Sequence, residues 1–116
     1  MRRPPAPAGA ITLWAEGEDA VLGASRVAER GVRAEALGAA AGEALAADLA
    51  AGANLDPHGA DQALVYLALA GGRSAFAVRA VSEHARTAMW LIERFLPVRF
   101  SAEPAGGLWR VRCEPA

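Results

Sequence analysis

The punctuation of the chain between Asp56 and Phe100 constrains its fold more than any other feature. Asp56-Pro57 is a helix N-cap followed by proline at the first helical position. The helix it opens runs to about Ala70 and stops at Gly71-Gly72. Ser82 caps another helix over Glu83 to Phe95, and Pro97 forbids its continuation. Between them Ala75 to Val81 reads as a strand. The first of these helices is apolar on nearly all sides after Gln62, which predicts near-complete burial. The second should turn Ala88, Ile92 and Phe95 inward and Glu93 and Arg94 outward.

Elements on either side extend this pattern. Met1 to Gly9 is Pro-rich and predicts an extended tail, leaving residues 10–116 as the folded domain. Ile11, Leu13 and Ala15 alternate with Thr12, Trp14 and Glu16, the period of a half-buried strand over Ala10 to Glu16. Gly17-Glu18-Asp19 supplies a turn into a second strand, Val21 to Val27. From Val32 to about Ala50, Leu37, Ala41, Leu45 and Leu49 stack at four-residue spacing in an amphipathic helix that Gly52 stops. Val98 to Ala102 and Leu108 to Cys113 form a closing hairpin around Pro104-Ala105-Gly106-Gly107. The order β-β-α-α-β-α-β-β predicts an α+β domain, a mixed β-sheet with helices packed on one face.

Composition narrows the chemistry. All twelve basic residues of the 116 are arginine. Without lysine there is no P-loop lysine, no Schiff-base lysine and no lysine nucleophile of an adenylating ligase. A histidine is then the leading candidate for covalent chemistry. The formal net charge of −1 gives no global case for nucleic acid, so any RNA contact must be local. The single Cys113 excludes a disulfide framework and a thiolate metal cluster, and reads as a buried or edge-strand thiol. No apolar run reaches spanning length, so no membrane partner is expected and the setting predicted is cytoplasmic.

Both histidines fall at helix starts. His84 lies in the first turn after Ser82, where unpaired N–H groups and the helix dipole disfavour a positive imidazole. A neutral ring keeps a nitrogen lone pair free for nucleophilic or base work, and the same helix start can hold a phosphate. The plain alternative is a capping or partly exposed histidine with no task. Thr87, one turn on, can hydrogen-bond a phosphate or simply face solvent. His58 and Asp61, three apart, share a helix face. Asp61 offers carboxylate oxygen to Mg²⁺ beside a phosphate, or merely complements the helix dipole. Gln62 can donate to or accept from a ligand. A zinc site from His58, Asp61 and His84 lacks zinc-ligand spacing. Trp14, Trp90 and Trp109 read as core or strand-face aromatics rather than base-stacking platforms.

Several blocks, in order, carry a family resemblance. They are Glu29-Arg30-Gly31-Val32-Arg33-Ala34-Glu35, Asp56-x-His58-x-Ala60-Asp61-Gln62, and Leu67-Ala68-Leu69-Ala70-Gly71-Gly72-x-Ser74. Ser82-x-His84-x-x-Thr87 and Ile92-Glu93-Arg94-Phe95-Leu96-Pro97-Val98 follow. Together they resemble the C-terminal part of the RNA 3'-terminal phosphate cyclases. The resemblance implies a single repeat unit of the large cyclase domain, which is built of helices packed on a sheet. It also implies a chemistry: a histidine attacks the α-phosphate of ATP, AMP passes to an RNA 3'-phosphate, and the 2'-hydroxyl displaces AMP to leave a 2',3'-cyclic phosphate.

On that resemblance His84 matches the nucleophile and Asp61 a metal- or phosphate-site carboxylate. Gln62 matches its neighbour in the nucleotide pocket, and His58 an aromatic-type residue that packs on adenine. ATP and Mg²⁺ or another divalent cation are the implied cofactors. RNA 3'-phosphate ends are the implied partners, with self-association or upstream cyclase repeats to complete the domain. Two departures bear on activity. Thr87 is followed by Ala88 where the family usually has asparagine, and the chain matches only the family's final part. A non-catalytic relict or RNA-processing scaffold that keeps the fold is the alternative; a free-standing metal hydrolase rests on the His/Asp cluster alone.

Overall fold

The computed structural model describes residues 9–18 and 20–116. The Pro-rich tail expected over residues 1–9 lies outside the described residues except for Gly9, and so does Asp19 of the first turn. The elements in chain order are β1 (Ala10–Glu16), β2 (Val21–Val27), α1 (Ala34–Ala51), α2 (Pro57–Ala70), β3 (Ser74–Val78), α3 (Glu83–Phe95), β4 (Val98–Ala105) and β5 (Leu108–Pro115).

β1 and β2 form an antiparallel hairpin in register Ala10↔Val27 to Glu16↔Val21. Ile11, Leu13 and Ala15 are half-buried while Thr12, Trp14 and Glu16 face outward, as the alternation predicts. Against this hairpin packs α1, which buries Ala41 and Asp48. It ends at Gly52, whose left-handed φ of 78° lets its N–H reach back to the Leu49 carbonyl at 3.2 Å.

The remainder is a two-layer unit: α2 and α3 lie together on the β3-β5-β4 sheet. Its core holds Ala60 and Leu64 from α2, Ala85 and Met89 from α3, Phe76 and Val78 from β3, and Val111 from β5. Leu64, Val78 and Val111 are fully enclosed, so truncating Leu64 to alanine would cost roughly 2–5 kcal/mol. The β4–β5 turn is only two residues, Gly106 and Gly107, at φ 60° and 84°. Two consecutive positive φ values are what a tight hairpin turn demands, and glycine supplies them without strain.

The segment between α1 and α2 ties the two parts together. Asn54 lies along the edge of β3: its N–H donates to the Ala77 carbonyl at 2.8 Å, and its Oδ1 accepts the Ala77 N–H at 2.9 Å.

The α+β class and the helix-on-sheet packing stand as the sequence implies, but several details differ. Instead of one mixed sheet, the described strands make two antiparallel ones. Two pairings join consecutive strands through short turns, which favours antiparallel geometry. β3 stops at Val78, not Val81, because its partner strand starts at Leu108 and pairing runs out at Val78↔Trp109. α2 is not buried all round. Only one sheet face lies beneath it, so Ala60, Leu64 and Ala68 are covered while Val65, Tyr66 and Leu69 stay exposed. Phe95 points outward, not inward: the buried stripe of α3 runs Ala85, Met89, Ile92 and then the half-buried Leu96. Trp90 is likewise exposed, lying under the Arg94 guanidinium at 4.8 Å from its ring centroid. Trp109 is a half-buried strand residue carrying Arg86 over its ring at 5.3 Å.

Candidate functional site

The start of α2 is built around Asp56. Its Oδ2 accepts the Gly59 N–H at 2.8 Å, satisfying one of the unpaired donors of the first turn. Its Oδ1 accepts the Gly23 N–H of β2 at 3.3 Å, so one carboxylate caps the helix and holds the hairpin. Gly59 makes room for this: a Cβ there would stand 3.0 Å from Asp56 Oδ1. Beside this junction opens a cleft of about 610 Å³. His58 and Gln62, one turn apart and both exposed, line it together with β2, Asp48 and Arg79.

The start of α3 is built around Ser82. Its Oγ accepts the Ala85 N–H at 3.0 Å and donates to Asp61 Oδ1 at 2.7 Å. Asp61 and Gln62, adjacent in sequence, therefore serve different neighbours: Gln62 the cleft, Asp61 the next helix start. His84 lies two positions after Ser82, a backbone span of at most about 7 Å, so its backbone stays near the Ser82–Asp61 contact. His84 is exposed and opens a helix stripe that continues through Thr87, Leu91 and Phe95, all exposed as well.

Among the described residues no three His, Cys, Asp or Glu side chains come close enough to hold a metal ion, so His58, Asp61 and His84 do not form a zinc-type cluster. Asp61 alone offers a hard-oxygen ligand, and its Oδ2 makes no hydrogen bond among the described residues.

Sequence reasoning missed the Asp48–Arg79 pair. Asp48 is 2% exposed, and its Oδ1 accepts from Arg79 Nε at 2.9 Å. A signal was present: Asp48 falls seven residues after the buried Ala41, on the face of α1 that the apolar stripe turns inward. Cys113 is buried on the central strand of its sheet. Burial first, then the nearby charges of Glu93 and Glu114, pushes its thiol above the ordinary range.

The fold is thus an α+β unit that sets two capped helix starts side by side, with a cleft next to one and a histidine on the other. Comparison with known proteins gives the family. A sequence profile described as RNA 3'-terminal phosphate cyclase matches residues 3–102, and the chain belongs to that family. It is 55% identical over 107 residues to the RNA 3'-terminal phosphate cyclase of Nitrosospira multiformis, covering 92% of this chain and 30% of that protein. To the protein of the same name from Pyrobaculum neutrophilum it is 43% identical, covering 93% and 31%. The Methanosarcina barkeri protein is 42% identical, covering 87% and 29%. The chain therefore spans under a third of the length of these curated relatives.

Proposed function

We propose that this chain supplies the histidine-bearing part of an ATP-dependent RNA 3'-terminal phosphate cyclase, with His84 as the nucleophile. A ring nitrogen of His84 attacks the α-phosphorus of ATP; the N–P bond forms as the bond to pyrophosphate breaks. An oxygen of the RNA 3'-phosphate then takes AMP from His84, releasing the imidazole. The neighbouring 2'-hydroxyl attacks the activated 3'-phosphorus, losing its proton, and AMP leaves as the 2',3'-cyclic phosphate closes. His58 packs on the adenine and Gln62 hydrogen-bonds within the nucleotide pocket. Mg²⁺ or another divalent cation, when bound, shields phosphate charge. Asp61 suits it, since Mg²⁺ is held by one or two carboxylates together with phosphates and water.

The observation that carries this reading is the Ser82–Asp61 hydrogen bond, which joins the start of α2 to the start of α3 beside His84. Family membership sets the chemistry that such a pair of helix starts would serve. Its partners are RNA 3'-phosphate ends and either a second copy of the chain or the upstream cyclase repeats, and its setting is cytoplasmic. One observation favours a non-catalytic RNA-processing scaffold instead: Ala88 places no amide beside Thr87.

Incubation with α-labelled ATP and a divalent cation, with and without a polypeptide supplying the upstream repeats, separates the two. The cyclase reading expects an acid-labile, alkali-stable adduct on His84 that disappears in His84→Ala. Label that survives this substitution, or no label in either mixture, rejects it in favour of the scaffold.

A further inference from the structure

Every carboxylate lining the cleft is already engaged within the protein, while its two arginines keep donors uncommitted among the described residues. Asp56 spends Oδ1 on the Gly23 N–H and Oδ2 on the Gly59 N–H. Asp48 is buried against Arg79. Lining the cleft with donors to spare are Arg26 and Arg79. Arg26 has one donor committed, Nη1 to the Ser25 carbonyl at 2.7 Å.

Arg79 is the better placed of the two. A buried carboxylate carries a desolvation cost that a well-packed apolar residue would avoid, so Asp48 is a poor choice for stability alone. It does fix the arginine. Arg79 Nε is held at 2.9 Å, and the guanidinium is planar, so the edge formed by Nη1 and Nη2 is turned away from Asp48. Those two nitrogens make no hydrogen bond among the described residues, and the side chain is 40% exposed on the cleft wall. A forked donor pair in a fixed plane matches two oxygens of a phosphate group. Arg79 also stands three residues before Ser82, in the segment that leads from the cleft to the His84 helix.

We propose that Arg79 binds a phosphate group in this cleft through Nη1 and Nη2, and that buried Asp48 is the positioning residue that aims it. The inference rests on reading the cleft as the nucleotide and RNA-end site. The phosphate belongs either to the tail of ATP or to an RNA 3' end.

The Arg79 Nε–H resonance of the arginine-labelled chain, assigned by its loss in Arg79→Lys, tests this directly. The chain is titrated with inorganic phosphate, ATP, adenosine, and one short oligoribonucleotide bearing either a 3'-phosphate or a 3'-hydroxyl. Saturable movement with ATP but not adenosine assigns the phosphate to the nucleotide. Movement with the 3'-phosphate but not the 3'-hydroxyl assigns it to the RNA end. Arg79→Gln should weaken the responding ligand roughly tenfold or more, the usual loss for a charge-assisted bond. Asp48→Asn, which keeps the shape and an oxygen acceptor but removes the charge, should weaken it less while speeding exchange of the Nε–H. A purely structural pair would lower the melting temperature of both variants and leave discrimination between phosphate and hydroxyl unchanged; that result overturns the proposal. So does an Arg79 signal that responds to no phosphate. If His84 takes AMP while Arg79 stays silent, the phosphate site alone fails. If Arg79 responds but His84 is never labelled, the site stands and the proposed reaction fails.

Discussion

Ser82 and Asp61, twenty-one residues apart, share a 2.7 Å hydrogen bond, and the donating Oγ is the same atom that caps α3 by accepting the Ala85 N–H. A single hydroxyl therefore both satisfies one of the unpaired donors at the start of α3 and docks that helix to α2. The residue two places beyond it, His84, inherits its position from that arrangement.

Removing the hydroxyl tests the coupling. Ser82→Ala loses the cap, worth about 1–2 kcal/mol, and leaves Asp61 Oδ1 without its donor. Thermal unfolding should fall by several degrees, and Ser82→Thr should recover most of the loss. An unchanged midpoint in Ser82→Ala would show that the bond contributes nothing.

His84 and Asp61 should respond differently to truncation. His84 is exposed and without a hydrogen bond among the described residues, so His84→Ala should change stability by no more than about 0.5 kcal/mol while abolishing AMP labelling. Asp61→Ala should weaken labelling and raise the divalent-cation concentration needed for it, because a hard-oxygen ligand is lost. Labelling with an unaltered cation dependence would return Asp61 to a structural role.

Cys113 yields a pH-dependent expectation. Its pKa is raised in the fold, so the neutral thiol is the form the fold favours. As pH climbs past the pKa of the unfolded thiol, the unfolded state ionises first and stability drops, until the folded thiol ionises too. Alkylation at mildly alkaline pH should be slow in the native protein and fast in denaturant. Fast native alkylation would contradict the burial.

The outward faces of α2 and α3 carry Tyr66 and Leu69, and Leu91 and Phe95, with Phe95 78% exposed. Exposed apolar patches of this kind favour association. The purified chain should elute larger than a monomer in light-scattering chromatography, and Tyr66→Glu with Phe95→Glu should shift it toward monomer without loss of helix content. A wild-type monomer at all concentrations would dismiss the idea.

Local chemistry was readable from the residues alone wherever a short stretch decided the outcome. Asp56-Pro57 and Ser82 opened helices and Gly52 closed one because capping is settled within a turn of chain. The closing hairpin was readable from its glycines, which take positive φ without strain, although β4 runs on through Pro104 and Ala105 and leaves only Gly106-Gly107 in the turn. Periodicity set Ile11, Leu13 and Ala15 on one face of β1 and Ala88 and Ile92 on the inner side of α3, and the ordered blocks around His58, Asp61 and His84 were enough to point to the family that the profile match shows. Tertiary structure decided whatever depended on a distant neighbour. Whether the outer side of α2 is covered depends on what lies against it, and one sheet face covers only one side. Phe95 is exposed and Leu96 half-buried because which side of α3 is covered depends on the elements packed against it. Asp48 met Arg79 across thirty-one residues, and Asp61 met Ser82 across twenty-one, because side chains reach one another only after helices and strands have packed.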